Sequence, residues 1–282
     1  MTINEIKSND LSFKDTFNLG FNMYRMNFKA VAILSVIAYI PVLLLDRLVV
    51  AGSMRDLLML LGVEDYGAAG VGMTSMMEAM LLNLANMPTE LEQSVIRTTY
   101  IMLGAQLVSL TVFLPLISSG STYLALENTK GEQGSIDGTL TTALTNIFKT
   151  FVTALLAFAL ITLGVMMFIV PGIYLTICFA FIAPAVIVTG KWGLGALKES
   201  LEIVQGRWFK TLAFLLLINA FGFVFMYMAA VIESVVLLVV PAGAAVSIMT
   251  DMVVRIALTY LVMTECLWFI NKYFMLKAGN GN

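Results

Sequence analysis

Histidine is missing from all 282 residues, which removes the commonest general base and metal ligand at neutral pH. A Ser-His-Asp triad, a Cys-His pair and a histidine-ligated zinc hydrolase site are thereby excluded. Cysteine occurs only at Cys178 and Cys266, both inside apolar runs, where a thiol behaves as a small apolar side chain. Neither a disulfide framework nor a redox compartment follows from two such residues. Charge is also scarce, at 12% of the chain against about 25% in soluble domains. No basic run is dense enough for nucleic acid. The glycine-rich stretch Gly67, Gly70, Gly72 lacks the following Lys and Ser/Thr of a phosphate loop and reads as a connector.

Apolar length is what the chain has, with 60% hydrophobic residues. Six apolar runs occupy 30–50, 100–124, 150–170, 173–189, 211–232 and 244–270. A helix of about 20 such residues crosses the hydrocarbon layer, and only internally bonded backbone is tolerated there. The expectation is an all-α integral membrane protein of six transmembrane helices, forming one polytopic domain over 1–282. Nearly thirty amphipathic residues precede the first run, so that run is expected to be a permanent anchor and not a cleaved signal.

Basic residues set the expected orientation. With both termini on one side, 12 Lys and Arg fall there and 3 (Arg47, Arg55, Arg97) fall opposite, while Arg255 lies within a run. The positive-inside rule reads this as cytoplasmic termini, with Trp192, Trp208 and Trp268 at inner ends of spans.

The segments before spans one, three and five share a pattern. Phe13, Phe17, Phe21, Tyr24 and Phe28 recur at steps of three or four, as do Ile136, Leu140, Leu144, Ile147 and Phe151, and Leu194, Leu197, Leu201, Val204 and Trp208. That spacing puts each stripe on one helical face, with Lys198, Glu199 and Glu202 turned away. A Phe-Lys pair then opens each hairpin, at Phe28-Lys29, Phe148-Lys149 and Phe209-Lys210. The unit expected is a cytoplasmic amphipathic interfacial helix (near 12–28, 136–148 and 194–208) followed by a helical hairpin, repeated three times. Spans three and four are expected to join through a tight turn at Val170-Pro171-Gly172, and spans five and six near Pro241. Pro41, Pro115 and Pro184 fall inside spans and are expected to kink them. On the outer side, 51–98 reads as amphipathic, with one short helix carrying Met54, Leu57, Leu58 and Leu61.

The run VPGIYLTICFAFIAPAVIVTGKWGLGALKESLEIVQGRWFK (170–210) resembles the YciC-type bacterial inner-membrane family, related to the membrane domain of glycerophosphodiester phosphodiesterases. The resemblance rests on Pro171, Gly172, Pro184, Gly190, Gly193, Ala196, Leu197, Lys198, Ser200 and Gly206. The stretches 12–29 and 119–136 also resemble that family. It implies six spans in the bacterial cytoplasmic membrane and supplies no reaction. In the phosphodiesterase fusions catalysis belongs to a separate soluble barrel with histidines and acidic metal ligands, and this chain has no counterpart.

Few residues invite chemistry. Asp251 and Arg255 stand four apart on one face of the last span, as an intramembrane site or as a structural pair near the outer surface, the latter favoured. Glu265 is expected near the inner headgroups, within reach of Lys272. Met73, Met76, Met77 and Met80 form a stripe that fits soft copper(I) or, preferably, an amphipathic helix on lipid. Lys191, Lys198, Arg207 and Lys210 are placed to meet anionic headgroups. No cofactor and no metal are expected. The functional expectation is a non-enzymatic inner-membrane protein that handles lipids or supports membrane-protein partners in the envelope, with membrane lipids as its partners. The alternative is a small transporter with a polar site at Asp251/Arg255.

Overall fold

The computed structural model describes residues 10–60, 89–239 and 243–279. Among these residues there is no strand, and six helices are long and apolar enough to cross a membrane. The protein is an all-α, multi-pass membrane protein. The methionine stripe at 73–80, Leu61 and the expected break at Pro241 lie outside the described residues.

The helices run α1 Phe13–Met26, α2 Phe28–Leu45, α3 Ala51–Leu60, α4 Thr89–Val108, α5 Leu114–Lys130, α6 Ile136–Thr145 and α7 Ile147–Met167, followed by α8 Ile169–Cys178, α9 Ile182–Thr189, α10 Leu194–Val204, α11 Trp208–Val239 and α12 Gly243–Gly279. Single π-helical segments, Asp46–Val50 and Ser109–Phe113, link α2 to α3 and α4 to α5. The chain divides into two compact units, one of residues 40–109 and one of the remainder.

In the smaller unit α3 packs on α4. Thr98 donates to the Ser53 carbonyl at 3.2 Å, and Arg97 pairs with Asp56 at 2.9 Å. Both charged side chains are exposed, so the pair contributes no more than about 1 kcal/mol.

In the larger unit, the three amphipathic segments fold as the separate helices α1, α6 and α10. Two start alike. Ser12 accepts from the Asp15 amide and Ser135 from the Gly138 amide, satisfying donors that a helix start leaves unpaired. Thr16 and Thr139 each return a hydroxyl bond to their capping serine's carbonyl. Both helices end at an asparagine, Asn27 or Asn146, whose amide group caps the preceding turn through Met23 or Thr142. The third helix is capped by Gln205 and followed by Gly206, whose φ of +84° is open to glycine and strained for other residues.

The most buried face of α1 is not its aromatic stripe. Thr16, Gly20 and Met23 are buried, while Phe21 and Phe28 are exposed. The small residue allows backbone contact, since a Cβ on Gly20 would lie 2.4 Å from the Thr264 hydroxyl of α12. In α6 the matching buried pair is Thr139 and Ala143. Close approach over small residues is how helices associate where lipid supplies no hydrophobic drive. Phe13 meets Trp268, Gly20 meets Thr264, and Tyr24 bonds the Ile256 carbonyl, so α1 runs antiparallel along α12. At 1.5 Å per residue the 37 residues of α12 extend about 55 Å, well beyond one hydrocarbon thickness.

Helix α5 is the hub, packed against α12, α6 and α9. Gly120 abuts Leu34 of α2, and the Ser35 and Thr259 hydroxyls bond at 2.9 Å between α2 and α12.

Two expectations about proline are corrected. The turn between spans three and four is made by extended Phe168, so Pro171 sits in the first turn of α8, where a missing N–H costs nothing. Gly172 is needed there for packing, because a Cβ would strike Val165 at 2.2 Å. Pro184 lies in the first turn of α9 after a non-helical break at 179–181. Pro41 lies within a continuous helix, and Pro115 lies within the continuous helical run Thr89–Lys130, directly after its π segment.

Candidate functional site

Two adjoining hollows in the larger unit meet at Phe13. One is an apolar groove of about 890 Å³ between α1, α11 and α12. The aromatic stripe of α1 forms one wall through Phe17 and Phe21, facing Phe221 and Met228 of α11 and Leu258 of α12. Two hydroxyls that would wet this groove are spent on backbone: Tyr260 donates to the Phe17 carbonyl at 3.2 Å and Tyr24 to the Ile256 carbonyl at 3.0 Å. Lys14 and Asn18 are the polar side chains in its lining, besides the tyrosines.

The second hollow, about 350 Å³, is cationic. Gly206 turns the chain from α10 into α11, so Arg207 and Lys210 stand at the start of a 32-residue helix with no acidic residue in its first turn. Thr211 donates to the Arg207 carbonyl as the first intrahelical bond, leaving the three amides before it without helix partners. From α12 come Trp268 and Lys272, and from the segment before α1 come Asp10, Leu11 and Ser12. The Leu11 amide donates to Asn271 Oδ1 at 3.3 Å, which pins that segment to α12.

Lys272 is buried, bonded to the Asp10 carboxylate and 4.0 Å from the Trp268 ring centroid. The same indole stacks on Phe214, with ring centroids 4.3 Å apart. Trp268 Nε1 is buried without a hydrogen-bond partner. Desolvation pushes the Asp10 carboxyl up, but the bond and charge of Lys272, aided by Arg207 and Lys210, outweigh it and hold Asp10 below its ordinary value. Three cations, a helix N-terminus and one carboxylate leave a net positive field, which suits an anion.

The residues singled out from sequence separate. Asp251 and Arg255 share a face of α12, and the Arg255 guanidinium lies 5.3 Å from the Tyr39 ring centroid. Neither lines the groove or the cationic pocket. Ser200 donates to the Cys178 carbonyl at 2.7 Å, capping the acceptor left open where α8 breaks. Lys198 is exposed beside Glu202 at 3.9 Å.

Glu199 is not on a solvated face: it is buried, with Lys191 at 2.5 Å and Lys277 at 4.0 Å. Its hydrogen bond and charge raise Lys191 above the usual lysine value. Trp268, expected at a lipid interface, is core. Lys272 reaches Asp10 instead of Glu265, and Glu265 lines a third cavity. Of the four cations expected to meet headgroups, Arg207 and Lys210 line the pocket, and Lys191 and Lys198 are paired elsewhere.

Comparison with protein-family models, with curated proteins and with solved structures finds no match to this chain.

Proposed function

We propose that this protein is a non-enzymatic, lipid-handling module of the bacterial cytoplasmic membrane that holds an anionic amphiphile, phosphate in the cationic pocket and acyl chain in the groove. The observation that carries this reading is the adjacency at Phe13 of a cation cluster and an apolar groove of ligand size. Arg207, Lys210 and the first-turn amides of α11 are the phosphate donors, with Lys272 holding Asp10 aside. Each lysine or arginine near an anionic headgroup layer contributes about 1 kcal/mol. The 12-against-3 distribution of basic residues supports cytoplasmic termini, and hence a pocket facing the inner leaflet. The resemblance to the YciC-type family supports the same compartment. A transporter working through Asp251 and Arg255 has less in its favour, since neither residue lines a described cavity.

The test is native mass spectrometry of the purified full chain with phosphatidic acid, phosphatidylglycerol and diacylglycerol added. The phosphate-bearing lipids are expected to be retained at least tenfold better than diacylglycerol, about 1.4 kcal/mol. The double variant Arg207→Gln/Lys210→Gln is expected to erase that preference. Equal retention of all three lipids by the wild type, or an unchanged preference in the variant, overturns the proposal.

A further inference from the structure

A third cavity, about 530 Å³, lies among α5, α7, α8, α9, α11 and α12, and its chemistry is the reverse of the cationic pocket. Its wall is mostly apolar, but Glu265 opens onto it from α12. Among the described residues no hydrogen bond or ion pair reaches that carboxyl, and no lysine or arginine lines the cavity. Every helix around it belongs to one of the six of span length. A carboxyl placed there without a partner is costly, and such residues mark ligand or ion sites.

The other polar groups are partly engaged with the protein. Asn219 gives one of its two amide N–H groups to the Leu215 carbonyl at 2.8 Å, and its oxygen remains to accept. Thr176 donates to Gly172 at 2.9 Å, Ser118 lies 3.6 Å from Cys266 Sγ, and Thr111 is engaged as well. The backbone adds a further acceptor. Ala180 lies in the break between α8 and α9, and its carbonyl has no i+4 donor because that position is Pro184. The π-helical segment at 109–113 supplies Leu110 and Thr111 to the same wall. Non-helical backbone at membrane depth is tolerated where it lines a cavity, and opened carbonyls there serve cations.

We infer that this cavity binds an amphipathic ammonium, a protonated amine on an apolar body, with Glu265 as counter-ion and the Asn219 oxygen as second acceptor. A carboxyl flanked by further acceptors, with no lysine or arginine in the wall, favours a cationic donor, and a wall that is otherwise apolar fits a hydrocarbon body far better than a bare hydrated ion. This inference is independent of the lipid-phosphate reading, because none of the residues that line this cavity line the other two.

The probe is N,N-dimethyldodecylamine, which is charged at neutral pH and forms no stable amide, with dodecanol as its uncharged match. The full chain in phosphatidylcholine nanodiscs is treated with dicyclohexylcarbodiimide, a reagent for carboxyls in apolar sites, and adducts are located by mass spectrometry. Glu265 is expected to be modified, the amine to suppress that modification at least tenfold, and the alcohol to leave it unchanged. Asn219→Leu is expected to keep the adduct while weakening the amine's protection several-fold, and Glu265→Gln to abolish saturable amine binding with an unchanged elution profile. An unmodified Glu265, equal protection by amine and alcohol, or undiminished amine binding in Glu265→Gln each overturns the inference.

Discussion

Asp10→Asn is a sharp probe of the cationic pocket, because the two members of its ion pair are unequally buried. The Lys272 side chain is 4% exposed and that of Asp10 is 49% exposed. Without the carboxylate, a buried ammonium keeps only the Leu11 carbonyl at 3.5 Å and the Trp268 ring, and Arg207 and Lys210 repel it. Breaking a fully buried pair from one side costs ~3–5 kcal/mol. With one partner half in water, screening reduces the expected loss to about 2 kcal/mol. Lys272→Met instead leaves a carboxylate that water reaches, for a loss below about 1 kcal/mol. Thermal unfolding in nanodiscs is expected to fall by roughly 4–8 °C for Asp10→Asn, less for Lys272→Met, and no further in the double variant. The pH dependence has a defined sign. Asp10 sits below its ordinary value of 3.8 in the folded state, so its contribution is present above pH 3.8 and lost as pH falls through the lower folded value. The gap between wild type and Asp10→Asn is therefore expected to close in acid. A Lys272→Met variant as damaged as Asp10→Asn, or a double variant showing the sum of both losses, refutes the buried pair.

Three further outcomes follow from the packing. Gly20→Ala forces a methyl into the Thr264 contact and is expected to cost about 1–3 kcal/mol, partly restored by Thr264→Ala, as read by thermal unfolding of both variants. Ser200→Ala leaves the buried Cys178 carbonyl unpaired and is expected to cost about 1–3 kcal/mol, with faster amide exchange confined to the 178–182 break. Gly206→Ala places a Cβ at φ +84° and is expected to lose roughly 1–2 kcal/mol by the same thermal assay.

The membrane fold is readable from the chain because its determinant is a length of apolar sequence, and that length is local. The starts of the amphipathic helices α1 and α6 are readable for the same reason: Ser12 and Asp15, or Ser135 ahead of Thr139, announce a helix start within four residues. Periodicity tells less about which face is used. The bulky residues of α1 dominate any hydrophobic count, yet the tightest contact falls on Gly20, because backbone approach rewards the absence of a side chain. Proline misleads in a related way. Pro184 looks like a kink in an uninterrupted span, but it stands in the first turn of α9, after the break at 179–181.

The candidate sites are the least legible in the sequence because the residues that form them are far apart along the chain. Lys272 meets Asp10 across 262 positions, and nothing near either residue signals that match. Charge counting assigns Arg207 and Lys210 to the headgroup region without revealing the groove that Phe13 joins to them. Glu265 carries a weak local clue, an acidic residue amid apolar neighbours, and the same is true of Asn219 on α11. Only when α11 and α12 face one cavity do the two become a pair of acceptors, and only the break before Pro184 adds the third. A helix can shield its own backbone in lipid, so an acceptor left uncovered at that depth needs a donor from outside the helix. Ser200 provides one for Cys178. For Glu265 no described residue does, which is why the guest inferred for that cavity is a cation.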